Sequence, residues 1–387
     1  MKDKTVTSRA GPNLARTTLI TAHDLMPTLD NIRPYTMVPV ESLIDLGQLV
    51  EAVLTYDIPG HFVECGVWRG GASFLMADLL RRAGVRDRKV WLFDSFEGLP
   101  PPQEIDGDAA LTYADNKDGP GNFDNCRASL AEVQRFAVQL GLASYTEFVK
   151  GWFEQTLPVQ RERLGPIAIL RIDGDWYSSV RCCLDNLYDQ VVDSGFVVLD
   201  DYYTYDGCAV AVHEFLGERR IAHRIEGVVG KCDGAEDYQS ALFRKGGATW
   251  KWLRQEYLVT QDLAALAPPG DTFILAGAER FENKVARASL PFLERKGEYW
   301  GPPPDDRTAI RELERLRRSG AGFIAFAWPA FWWLDYYAAF HRHLCAEFPC
   351  VLQNDRLIVF DLRRPARPSG AESTEVMTHR KTKKVKP

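Results

Sequence analysis

The sequence predicts a doubly wound, Rossmann-like α/β domain followed by a smaller α/β domain. Three observations carry that expectation. Short apolar runs rich in β-branched and aromatic residues alternate with stretches of helical length and period, the pattern of a parallel sheet covered on both faces. Several of those runs hand over to glycine or aspartate, the residues that strand ends present to ligands in such sheets. The chain of 387 residues, 45% hydrophobic and 26% charged, is long enough for two packed cores without disulfide or metal staples.

Residues 1–34 are polar and mixed, with Pro12, Pro27 and Pro34, and read as an N-terminal arm. A helix follows over Val40–Val53, where apolar residues recur at three and four. The first strand is His61–Cys65, then come a helix over Ala72–Arg82, a second strand Val90–Asp94, and a helix over Asn125–Leu140. Between them, Pro100–Phe123 is a long connection of the kind that forms lids. Strands are expected at Tyr145–Lys150, Ile167–Asp173 and Gly195–Asp201, with helices at Val180–Val192 and Cys208–Leu216. This gives one domain over 35–246, closed by the Gly246–Gly247 step. An accessory α/β domain over 250–364 has strands at Thr272–Ala276, Gly322–Ala327 and Arg356–Asp361, and helices at Thr308–Arg318 and Trp333–Glu347. The basic, Pro- and Ser-containing tail 365–387 reads as disordered.

A formal charge of −6, from 47 basic and 53 acidic residues, speaks against a nucleic-acid partner. The longest apolar run, Gly322–Leu334, is too short for a bilayer and contains Pro329, which speaks against a membrane partner. Eight cysteines without a CxxC pair point to reduced thiols, and the N-terminus has no secretory apolar core, so the expected place is the cytoplasm.

The chemistry is concentrated at strand ends. Glu64-Cys-Gly66-Val-Trp-Arg-Gly70 places glycines where a strand turns into a helix whose N-terminal N–H groups are free. The acid before the first glycine suits a cationic cofactor such as S-adenosylmethionine. It speaks against a nicotinamide oxidoreductase, whose turn reads G-x-G-x-x-G; a tight turn without a ligand stays open. Asp94 ends the next strand, where a carboxylate can accept ribose hydroxyls. Asp173 and Asp175, with Asp200 and Asp201, arrive at the same end of the sheet. Such carboxylates repel unless a cation or proton sits among them, and an all-oxygen site suits Mg²⁺, with Mn²⁺ able to substitute. The histidines and the aromatic string from Trp328 to Tyr337 read as structural.

The segments VECGVWRGG, FDSFEGLPPP, KGWFEQTLP, LRIDGDWYSS and VVLDDYYTYDG, in that order over roughly residues 30–245, resemble the macrocin/mycinamicin-type O-methyltransferases. The resemblance implies a class I methyltransferase fold, S-adenosylmethionine and Mg²⁺ as cofactors, and methylation of a sugar hydroxyl in antibiotic biosynthesis. It implies that Glu64, Gly66, Gly70 and Ser73 hold the amino-acid end of the cofactor, Asp94 and Ser95 its ribose, and Gly151, Trp152 and Phe153 its adenine, with Thr36 and Met37 nearby. It implies Asp173, Asp200 and Asp201 as metal ligands and Asp175 as general base. The chain departs from the family at Cys208–Phe215, which lacks the family's cations, and at Ala241–Lys245, which keeps one aromatic before its cations. The partner expected is a small glycosylated acceptor, the assembly a homo-oligomer. A catechol-type acceptor and a non-catalytic scaffold that binds S-adenosylmethionine are the alternatives. The domain over 250–364 has no phosphate-type turn and no acidic strand-end pair, so acceptor or partner recognition is expected of it.

Overall fold

The computed structural model describes residues 22–119, 121–232, 235–266, 271–281 and 289–365. They divide into two compact units that meet at Tyr257 and Leu258. No helix among the described residues is long and apolar enough to cross a membrane.

The first unit opens with α1 (Ala22–Ile32) and α2 (Val40–Thr55), then alternates β1 (His61–Cys65), α3 (Gly71–Ala83), β2 (Val90–Asp94), α4 (Asp108–Asp115) and α5 (Leu130–Gln139). It continues through β3 (Thr146–Lys150), α6 (Phe153–Leu164), β4 (Ile167–Ile172), α7 (Tyr177–Leu187), β5 (Val191–Leu199) and α8 (Asp206–Glu218). The hairpin β6 (Glu226–Cys232) and β7 (Ala235–Arg244) and the helix α9 (Trp250–Leu266) follow. The sheet order is β3-β2-β1-β4-β5-β7-β6. The first five strands are parallel; β7 runs antiparallel to β5, and β6, antiparallel to β7, runs in the direction of the first five. This is the doubly wound, Rossmann-like arrangement expected. The chain leaves β1 toward β2 and leaves β4 toward β5, so the crevice between β1 and β4 is the topological switch point, where ligands bind in such sheets.

Alternation along the strands feeds two cores. Phe62, Leu92 and Ile169 pack on one face with α2 and α3, while Val63, Phe93, Leu170 and Ile172 pack on the other with α7 and α8. Side chains at i and i+2 share a face, so Glu64 of β1 and Arg171 of β4 both point to the α3 side. The strand register sets them directly opposite each other.

Several boundaries differ from expectation. The arm is corrected over Ala22–Ile32: α1 is a helix that buries Leu25, Leu29 and Ile32. Residues 1–21 and the tail beyond 365 lie outside the described residues. The helix expected from Asn125 begins at Leu130, because Ser129 and Glu132 form a reciprocal capping box. The helix expected to reach Val192 stops at Leu187, since Val191 already opens β5. The connection 100–123 carries a helix, α4, and is pinned at Asp106, which accepts the backbone N–H of Tyr177 at 2.7 Å. The division between units falls beyond Gly246–Gly247, because the start of α9 belongs to the first core. Trp250 and Leu253 are buried there, and Glu226 caps the helix by accepting the N–H groups of Trp250 and Lys251 at 2.6 and 2.8 Å.

The second unit contains β8 (Thr272–Ala276), β9 (Leu290–Pro291), the hairpin β10 (Glu294–Arg295) and β11 (Glu298–Tyr299), and α10 (Asp306–Arg318). After these come β12 (Ala321–Ala327), α11 (Trp332–Tyr336), α12 (Ala338–Glu347), β13 (Cys350–Gln353) and β14 (Leu357–Asp361). Its main sheet is ordered β13-β14-β12-β8-β9. Ile324 and Phe326 face a core with α10 and α12, and Phe323 and Ala325 face one with Val259 and Leu263. The long helix expected over Trp333–Glu347 is two helices, broken at Tyr337, whose hydroxyl donates to the Pro303 carbonyl at 2.5 Å. The aromatic string divides accordingly: Trp333 and Tyr337 are buried, whereas Trp332 and Tyr336 are 47% and 71% exposed.

Candidate active site

A pocket of about 330 Å³ opens at the carboxyl ends of β1, β2, β4 and β5. Glu64, Gly66, Asp94, Asp173, Asp175, Asp200 and Asp201 line it, and so do Thr36 and Met37 from the segment between α1 and α2.

Glycine is required at the turn after β1. Gly66 has φ +87°, and a Cβ there would lie 1.6 Å from the Asp173 carbonyl oxygen. This close approach lets β1 and β4 run side by side into the pocket, with the Asp173 N–H donating to the Cys65 carbonyl at 2.8 Å. Gly70, at φ +94°, starts α3 but is not part of the pocket wall; its neighbour Gly71 is.

Glu64 lines the pocket and is otherwise buried. One carboxylate oxygen accepts Arg171 Nη1 at 2.6 Å and the other accepts the Ser73 hydroxyl. Burial pushes its carboxyl up to about 7, against the pull of Arg171 and Ser73. Ser73 therefore reaches the pocket only through Glu64. Asp94 accepts the N–H groups of Val67 and Phe96, each at 2.6 Å, and that of Trp68 at 3.2 Å. These bonds pin the loop after β1 to the end of β2. Burial still holds its carboxyl above the ordinary range.

Other expected residues lie off the wall. Ser95 turns into its own loop, donating to the Gly98 carbonyl at 2.9 Å. Gly151 donates to the Asp94 carbonyl at 2.9 Å, and Trp152 and Phe153 start α6 beside it; none of the three lines the pocket. His213 bonds the Tyr202 hydroxyl at 2.9 Å and also lies outside the wall.

The acids form two linked groups. Asp173, Asp175 and Asp201 each bring an oxygen within 4.8 Å of the others, close enough for one metal ion. Asp175 holds a left-handed backbone at φ +55°, and its N–H donates to Asp201 at 3.0 Å. Strained backbone of this kind costs about 1–3 kcal/mol and persists where the surroundings over-determine it. Asp200 stands apart from the expected trio. Its carboxylate is taken by Arg171 Nη2, while Nη1 of the same guanidinium holds Asp173 at 2.6 Å. Arg171 reaches both because it precedes Asp173 by two residues on β4, on the same face. Burial first, and then the neighbouring carboxylates, hold Asp175 and Asp201 well above the ordinary range.

Trp68, Tyr113, Cys126 and Tyr205 also line the pocket and were not singled out in the sequence. Tyr205 had a signal, since it closes the aromatic run after Asp200–Asp201 and packs edge-on against Trp176 at 4.9 Å. Tyr113 had none. It sits on the unforeseen α4, and its hydroxyl donates to Asn125 at 2.6 Å. Arg171 shows in the sequence as a charge inside an apolar strand, but its partners Glu64 and Asp200 come from other strands and leave no local signal.

Residues 16–234 match the family described as macrocin O-methyltransferase (TylF). The chain is 40% identical over 199 residues to the demethyldecarbamoylnovobiocin O-methyltransferase of Streptomyces niveus, covering 49% of this chain and 71% of that protein. It is 36% identical over 193 residues to the mycinamicin III 3''-O-methyltransferase of Micromonospora griseorubida, covering 49% and 74%. A solved structure of the O-methyltransferase NovP is 33% identical, covers 55% of this chain and 83% of its own, and superposes with a TM-score of 0.48.

Proposed function

This chain belongs to the macrocin O-methyltransferase family and is an S-adenosylmethionine-dependent O-methyltransferase, and on that premise we propose that it methylates a sugar hydroxyl of a small glycosylated natural product with the help of Mg²⁺. The observation that carries the metal is the charge balance of the pocket. Six acids, Glu64, Asp94, Asp173, Asp175, Asp200 and Asp201, line it, and Arg171 is bonded to Glu64, Asp173 and Asp200. Clustered buried carboxylates of this kind are stable only with protons or a cation between them. Oxygen donors alone favour a hard divalent ion. The sugar acceptor rests on the relatives, which by their names methylate demethyldecarbamoylnovobiocin, a rhamnosyl-tetracenomycin and mycinamicin III.

In this reading Glu64 faces the ammonium of the cofactor, and the free N–H groups at the start of α3 face its carboxylate. Asp94, Thr36 and Met37 hold the nucleoside side of the pocket. S-adenosylmethionine supplies a methyl group on a sulfonium, already activated for displacement. Asp173, Asp200 and Asp201 would hold Mg²⁺, which would supply Lewis acidity to an acceptor hydroxyl. Asp175 would take up the proton of the acceptor hydroxyl as general base. With a reactive electrophile and a nucleophile to bring into line, the remaining contribution of the chain is positioning. The second unit is assigned acceptor or partner recognition.

The test is transfer of labelled methyl from S-adenosylmethionine to a panel of glycosides and catechols. Label on a glycoside hydroxyl, lost in EDTA and restored by Mg²⁺, is the expected result. Label on catechols alone would transfer the assignment to a vicinal phenol, and full activity in excess EDTA would remove the metal.

A further inference from the structure

We propose that Arg171 couples the two ends of the pocket, so that a divalent metal and the S-adenosyl cofactor each bind more tightly when the other is present. The inference rests on the reading of the pocket above and adds a positioning residue that acts through its partners.

The strand register creates the arrangement. Glu64 of β1 stands opposite Arg171 of β4, and Asp173 follows Arg171 on the same face. The guanidinium is 2% exposed and touches three carboxylates at once. Nη1 is divided between Glu64 and Asp173, at 2.6 Å to each, and Nη2 bonds Asp200. Glu64 belongs to the cofactor end of the pocket, Asp173 and Asp200 to the cation end. One rigid, permanently charged fork therefore has a contact in both halves.

The three carboxylates compete for that fork. Whatever draws Asp173 and Asp200 toward a divalent ion leaves the charge and the divided bond of Arg171 to Glu64 alone. Glu64 is then held in one orientation by Arg171 and Ser73, fixed for a cationic ligand. By reciprocity a bound cofactor that engages Glu64 favours release of the two aspartates to the metal by the same factor. A direct effect of charge has the opposite sign. A divalent cation and an ammonium in one pocket repel, and without the fork between them the coupling would be absent or negative.

The experiment is calorimetric titration of the full-length chain with S-adenosylhomocysteine, which keeps the ammonium and carboxylate of the cofactor, with and without saturating Mg²⁺. Mn²⁺ binding is followed separately by electron paramagnetic resonance. In the wild-type chain Mg²⁺ should tighten S-adenosylhomocysteine binding by about 5-fold or more, the lower end of ordinary coupling, and in Arg171→Lys by less than about 2-fold. Lysine keeps the charge but lacks the fork. Glu64→Gln leaves Arg171 its other two partners, removes the cofactor-side contact and should lose the same factor, so the idea stays open to refutation if the lysine variant fails to fold. A wild-type factor of one or below, or full coupling in both variants, overturns the inference. Should S-adenosylhomocysteine or Mn²⁺ not bind the wild-type chain at all, the reading of the pocket falls and the inference with it.

Discussion

In the first unit the central parallel strands β1, β4 and β5 lead into Gly66, Asp173 and Asp200–Asp201. In the second, the parallel strands β8 and β12 lead into Gly277 and Trp328. Both sheets place small or flexible residues where the chain must turn, yet the first fills its strand ends with acids and the second with aromatic rings. Ion pairing divides the same way. Arg171 is buried among Glu64, Asp173 and Asp200, whereas the buried Asp361 of the second unit is met by Arg363 at the surface. A buried network of like charges is costly unless something binds it; stacked rings need no ligand. The contrast places the buried charge in the first sheet and aromatic packing in the second.

The largest effect that tests this contrast is at Asp175. Asp175→Asn should lower turnover by about 10²–10⁴-fold, the usual contribution of a general base, while S-adenosylhomocysteine affinity holds. An equal fall in both would make Asp175 a binding residue. The next effect compares two buried tryptophans. Trp250→Ala removes a ring from the first core together with its bond to Asp45, and Trp333→Ala one from the second; each should cost about 3–5 kcal/mol of stability. Only Trp250→Ala should weaken cofactor binding, and Trp333→Ala should raise KM for the acceptor. Titration calorimetry beside thermal melts separates them, and cofactor loss in Trp333→Ala would blur the division between units.

The smallest effect is on pH. The Glu64 carboxyl is raised from 4.5 to about 7 in the folded chain, so the folded state binds that proton more tightly than the unfolded one. Its contribution to metal-free stability is full below pH 4.5 and is lost as pH rises through 7. The slope is at most about 1.4 kcal/mol per pH unit. Glu64→Gln should flatten that part of the curve in denaturant titrations in EDTA; an unchanged slope would place the proton elsewhere.

The sequence was most legible where composition and period agreed. β1, β2 and β8 run as expected because His61–Cys65, Val90–Asp94 and Thr272–Ala276 are apolar runs bounded by turn residues. α1 escaped because Pro27 interrupts an otherwise helical spacing of Leu25, Leu29 and Ile32. The β6–β7 hairpin escaped because its outer half, Ala235–Tyr238, is exposed and polar and shows no apolar alternation. At the site, the strand-end acids could be read one by one, but their grouping could not. Asp175 joins Asp173 and Asp201 only through its left-handed backbone, and Asp200 turns away only because Arg171 reaches it. Both depend on register between β4 and its neighbours, which no local pattern encodes.

On the proposed function, the strand-end acids of the first unit hold a divalent ion that methyl transfer requires. The most direct measurement is anomalous diffraction from crystals grown with Mn²⁺ and S-adenosylhomocysteine, alongside turnover of the same preparation. One Mn²⁺ is expected, bonded by carboxylate oxygens of Asp173 and Asp201, with Asp200 released from Arg171 to join them. Methyl transfer should proceed only when that site is filled. An enzyme fully active with no ion among these aspartates, or with its metal bound elsewhere, would contradict it.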